Sequence, residues 1–351
     1  MNATRTLILG AAATALLSGA AIAEIKVSYI TPSTDITTGP GQTLIGVEEG
    51  LADLDGDFKF FSASPPAHND PAAYDRILSD QVVLAPEYLM VTPATSMDDI
   101  YDRLNEAAAK GSKLIVFAPP IGLEEHPIDP LAYIIVPEDV MGQMAGRDIA
   151  SMACAEGRDP INLAMFHGIP TSEIGKLRSA GFSEAVAAGL AECGITLNVV
   201  REEFTNFSRE LAFKTIEPVM TAHPEINVVF GANSNTALGI MEGLQATGKT
   251  PGADGIWIAG QGGQLDELAA VCRGEIMTVP FRDPRKMSDI ALEVVRLDLA
   301  GRTDEIQAVY PTQLVPITNC DQIFETVPQA MLESKGFRPL IPEEMWDSYM
   351  K

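Results

Sequence analysis

Histidine is scarce in this chain. Its four residues, His68, His126, His167 and His223, are scattered without the spacing of metal ligands. His223 precedes Pro224 at a predicted helix end and reads as structural. No G-x-S-x-G, no phosphate-binding P-loop and no helix-opening G-x-G-x-x-G occurs; Gly260–Gly263 is glycine-rich but lacks the third spaced glycine. With no activated nucleophile, metal cluster or nucleotide cradle, an enzyme is not expected and no cofactor is implied. Basic residues are also few: 24 Lys and Arg stand against 48 Asp and Glu, for a net charge of −24. So acidic a surface repels nucleic acid and anionic membranes. Beyond residue 23 no apolar run reaches the roughly 20 residues that span a bilayer.

What is present begins with a segment that stands apart. Arg5 opens residues 1–23, Leu7–Leu17 is apolar, and Ala21-Ile22-Ala23 is a small-x-small cleavage site. This is the pattern of a secretory signal, so an exported, periplasmic protein is expected. Four cysteines remain: Cys154, Cys193, Cys272 and Cys320. In an oxidising compartment they permit two disulfides, in three connectivities. Cys154 and Cys193 both fall at predicted helix ends away from the strand carboxyl ends, which pairs them and leaves Cys272 with Cys320. Their spacing does not suit a zinc site.

The rest of the chain repeats one unit. In Val228–Lys249 a short apolar run meets a small polar turn, Gly231 to Asn235, and then a helical pattern of Ala237, Leu238, Met241 and Leu244. Asn233 and Ser234 can cap that helix, and Gly248 suits its end. Strands are predicted at 25–30, 58–61, 88–92, 113–117 and 133–136. After residue 140 they recur at 162–166, 196–200, 227–230, 256–259 and 276–279, with a last one at 310–317. Helices lie between them, and a further helix is predicted at 323–334. Such alternation predicts an α/β fold of two doubly wound parallel sheets, one in each of two domains. Ligands of such sheets sit at the strand carboxyl ends.

Several stretches carry a family resemblance: E-D-V-M-G-Q-M-A-G at 138–146, K-L-R-S-A-G-F-S-E-A-V at 176–186 and T-A-H-P-E-I-N-V-V-F-G-A-N at 221–233, with A-L-G-I-M-E-G-L at 237–244 and G-E-I-M-T-V at 274–279. The chain resembles the type I periplasmic sugar-binding proteins, the ribose-binding-protein-like receptors of ABC importers. The resemblance implies two lobes joined by three crossings near 136–138, 280–282 and 311–314. One lobe is then 24–136 plus 282–312, the other 137–281 plus 313–351. It implies hinge closure on a sugar, polyol or sugar acid, a monomer, and an ABC permease in the inner membrane as partner. A periplasmic sensing subunit reporting to a membrane histidine kinase is the alternative.

Carried over by position, the ligand residues are Arg178, Phe207, Asn233 and Arg282, with Gln261, Asp35, Thr38 and His167 completing the candidate set. Arg178 offers a fork of donors, Phe207 an apolar face, and Asn233 both a donor and an acceptor. Without the resemblance, Arg178 reads as a solvated helix residue, Phe207 as core and Arg282 as a surface ion-pair member. The chain departs from the family where an acid is common: Gly262 stands after Gln261, and Ala118-Pro119 ends the strand that ribose-type receptors end in Asp-Arg. A pocket that keeps cations and loses anions leans towards a ligand with less hydroxyl donation or with negative charge.

Overall fold

The computed structural model describes residues 24–36, 38–66, 70–94, 96–120, 124–333 and 337–349. The predicted secretory segment 1–23, Thr37, His68 and Ser334 lie outside the described residues. Strand and helix alternate from the start: β1 (Ile25–Ile30), α1 (Gly39–Leu51), β2 (Phe58–Ala63), α2 (Pro71–Leu84), β3 (Tyr88–Val91), α3 (Tyr101–Ala109), β4 (Lys113–Val116) and β5 (Ala132–Ile135). The pattern continues with α4 (Glu138–Glu156), β6 (Ile161–His167), α5 (Glu173–Cys193), β7 (Leu197–Phe204), α6 (Arg209–Ala222), β8 (Val228–Gly231), α7 (Ser234–Ala246), β9 (Trp257–Ala259) and α8 (Leu265–Cys272). Then come β10 (Val279–Arg282), α9 (Pro284–Leu299), β11 (Val309–Pro311), β12 (Leu314–Ile317), α10 (Cys320–Thr326), α11 (Gln329–Leu332) and α12 (Glu343–Tyr349).

Ten of these strands form two parallel sheets, ordered β11-β5-β4-β3-β1-β2 and β7-β6-β8-β9, and β10 and β12 form a separate pair. Helices cover both faces of each parallel sheet, as near-continuous apolar strands require. Along β6, Leu163 and Met165 pack with Phe182 and Val186 of α5, while Ala164 and Phe166 pack with Ala212, Ile216 and Leu238 of α6 and α7. In the first sheet, Val27, Tyr29 and Ile115 meet α1 and α9, while Ile30, Leu89 and Val116 meet α2 and α3.

Three expectations shift. The strand predicted at 276–279 lies at Val279–Arg282, where it pairs antiparallel with β12 and sets Pro280 opposite Pro316. The strand predicted at 310–317 is two: β11 joins the first sheet beside β5, and β12 belongs with β10. Between them Thr312 bonds Ile135 O through its N–H (2.8 Å) and its hydroxyl (3.0 Å), tying one passage between the sheets to another. The helix predicted at 323–334 is also two, and α12 follows. This last stretch packs down, with Phe337 fully buried and Trp346 in ring contact with Phe324.

Both disulfides form as expected. Cys154–Cys193 joins the far ends of α4 and α5, and Cys272–Cys320 joins α8 to α10.

Candidate functional site

The carboxyl ends of the two sheets face a shared cavity of about 780 Å³. Its first wall comes from the turns after β1 to β4: Asp35 and Thr38, Pro65 and Pro66, Thr92 and Pro93, Ala118 and Pro119. Its second wall comes from the turns after β6 to β9: Ile169 to Ile174, Phe207, Asn233 to Asn235, and Gln261 to Gln264. Glu138, Arg178 and Arg282 line it too. Side chains from so many strand ends can meet one small molecule from all sides.

Arg178 reaches the cleft because α4 and α5 touch. A Cβ at Gly142 would lie 2.1 Å from Arg178 O, and one at Gly181 2.2 Å from Asp139 O, so only glycine allows this approach. The contact sets Arg178 beside Glu138 in the first turn of α4. Arg178 Nε donates to Glu138 Oε2 at 2.6 Å, and Nη1 donates to Ala232 O at 3.1 Å. Both side chains are almost wholly buried, at 8% and 4% exposed, so the pair is ordered before any ligand arrives. The reading that the pocket has shed its acids is therefore corrected: Glu138 is the acid it missed. An acid at the start of a helix just after a crossing was the available signal, since a helix N-terminus favours negative charge.

Asn233 is both a cap and a cleft residue. Its Oδ1 accepts from Thr236 N–H at 2.8 Å, opening α7, which leaves Nδ2, 3.4 Å from Phe207 O, as the freer end. Phe207 lines the cavity with its ring against Gly168, where an added Cβ would meet Cζ at 2.1 Å. Asn206 and Phe207 have φ of 51° and 58°, a costly conformation for two side-chain-bearing residues, and such strain gathers at functional sites. It has no signature in the sequence.

The turn after β9 is held from beneath. Buried Glu267 accepts from Gln261 N–H (3.1 Å), Gly263 N–H (2.9 Å) and Ser234 Oγ (2.5 Å). Burial pushes its carboxyl up to about 7, against the lowering pull of these donors. Gly262 has φ +118°, which a side chain rarely adopts, so the backbone itself accounts for glycine where an acid is common in the family. Gln261 is fully buried, yet neither its Oε1 nor its Nε2 has a hydrogen-bond partner among the described residues. An amide left so costs about 1–3 kcal/mol.

Arg282 ends β10 at the back of the cleft. Its Nε is buried without a hydrogen-bond partner among the described residues. Desolvation, and then the like charge of Arg178, depress its pKa below the usual arginine range; Glu138 and Tyr29 oppose this. Thr38 caps α1, accepting from Gly41 N–H at 3.1 Å, and donates to Asp35 O at 2.7 Å.

His167 is the exception in the candidate set. Strand β7 runs longer than predicted, to Phe204, and brings Glu202 within 3.1 Å of His167 Nε2 while Ser179 Oγ meets Nδ1 at 2.9 Å. The ring is spent on those partners, and His167 is not among the residues lining the cavity.

Comparison with known proteins gives the same architecture. A family model described as a periplasmic binding protein domain matches residues 27–303. The ribose import binding protein of Salmonella typhimurium is 26% identical over 316 residues, covering 90% of this chain and 97% of that protein. An ABC transporter periplasmic solute binding protein from Actinobacillus succinogenes, solved with bound D-allose, has TM-score 0.70 and 21% identity over 85% of this chain and 98% of its own. A solute binding protein from Bacillus halodurans with bound myo-inositol has TM-score 0.69 and 19% identity over 88% and 98%. These relatives are binding proteins, not enzymes. With one family model running from within β1 to beyond α9, the chain belongs to the periplasmic binding protein domain family.

Proposed function

We propose that this protein is the periplasmic receptor of an ABC importer, that it takes a sugar or sugar-like small polar molecule into the cleft, and that it closes on it. One lobe comprises 24–136 with 282–312, the other 137–281 with 313–351. The observation that carries this reading is the cavity itself: two parallel sheets aim their carboxyl ends at one space, and buried Gln261 borders it with both amide atoms unpartnered among the described residues. Contacts from both walls favour the closed form over the open one, and that difference is the whole of the mechanism. The closed monomer is then read by a permease in the inner membrane, and the ligand leaves unaltered. The relatives' names speak for import over sensing.

A thermal-shift screen of sugars, polyols and sugar acids, followed by solution scattering, tests it. A hit should raise the melting temperature and shrink the radius of gyration. A rigid profile and a flat melting temperature for every compound would sink it.

A further inference from the structure

We infer that the cleft is built for a hydroxylated monocarboxylate, with Arg282 and Gln261 as its anchors; this rests on the receptor reading above and names its substrate class. The cavity holds two guanidiniums, Arg178 and Arg282. Among the described residues no carboxylate pairs with Arg282, whose Nε is buried without a partner, and the Oε2 of Glu138 is already held by Arg178 at 2.6 Å. Asp35 also lines the cavity, but on the exposed rim. One buried positive charge is left for the ligand to meet.

The neighbouring groups point the same way. Gln261, 0% exposed, is among the residues lining the cavity, and its amide donor and acceptor are both unpartnered among the described residues. The first turns of α1, α5 and α7 also border it, through Gly39, Ile174 and Asn235, and helix N-termini carry partial positive charge. The planar guanidinium of Arg282 matches a carboxylate. A dianion is disfavoured, because one uncompensated cation faces it while the Glu138 side chain lines the same walls.

The test is calorimetry on the full mature chain with matched pairs: D-ribose and D-ribonate, D-glucose and D-gluconate, D-galactose and D-galacturonate, with glucose 6-phosphate as the dianion. At least one acid should bind about tenfold or more tighter than its neutral partner. Arg282→Gln should erase that preference and Arg282→Lys retain part of it, each with an unliganded melting temperature close to wild type. Neutral sugars binding as well as their acids, a preference that survives Arg282→Gln, or glucose 6-phosphate binding tightest would each overturn the assignment. If neutral sugars bind and shrink the molecule, the carboxylate inference falls while the receptor reading stands. If no compound binds and scattering never changes, both fall.

Discussion

The two walls of the cleft are made differently. The second wall carries the Arg178–Glu138 pair, the capped Asn233 and a turn clamped by Glu267, and both disulfides staple the unit behind it. The first wall is prolines, small residues and hydroxyls: Pro65, Pro66, Thr92, Pro93, Ala94, Ala118 and Pro119, with Asp35 on its rim. One wall is thus preorganised for charge. The other supplies shape through proline-rich turns. Rigid polar groups on one side lower the cost of ordering them when the ligand binds.

The comparison can be broken in four ways. Reducing both disulfides should have the largest effect, because closing loops of 39 and 48 residues contributes about 4 kcal/mol each. Calorimetry should show a melting transition of the second unit shifted well down and that of the first unmoved; equal shifts would show that the walls are not independent. Glu138→Ala should follow, at about 3–5 kcal/mol in urea denaturation, since it strands Arg178 as a buried unpaired charge. A loss under about 1 kcal/mol would mean that the pair is not preorganised.

Glu267 adds a pH signature. Its folded pKa of about 7 lies above the 4.5 of the free group, so the folded state keeps a proton that the unfolded chain has already lost. Stability is therefore fully present below 4.5 and falls as pH rises through 7, by an amount on the order of 3 kcal/mol. Glu267→Gln should flatten that slope in melting curves taken across the window; an unchanged slope would assign it elsewhere. Thr38→Ala, in the plainer wall, should cost only about 1 kcal/mol through its cap, read as a small drop in urea midpoint.

Much of this was legible in the sequence, and the failures share one cause. Apolar runs and caps are local, so strands such as β6 and helices such as α6 and α9 fall where spacing puts them. Asn233 and Gln261 line the cleft because the turns after β8 and β9 place them there, while Arg178 comes from α5 and Arg282 from the end of β10. What failed depends on partners distant in sequence. The stretch 310–317 looks like one strand until its neighbours are known: β5 claims the start and β10 the end. Pro280 reads as a strand stop, but in an antiparallel pair some positions need no N–H, and there proline is tolerated. Glu138 and His167 were misjudged because each is decided by a residue at least 35 positions away, Arg178 and Glu202 respectively.

The two hydrogen bonds that Thr312 donates to the carbonyl of Ile135 have a consequence for motion. They stitch the end of β5 to the residue that follows β11, where the chain leaves the first sheet twice. If the two sheets move relative to one another, as the proposed closure requires, these two passages must travel as one piece, like the spine of a book.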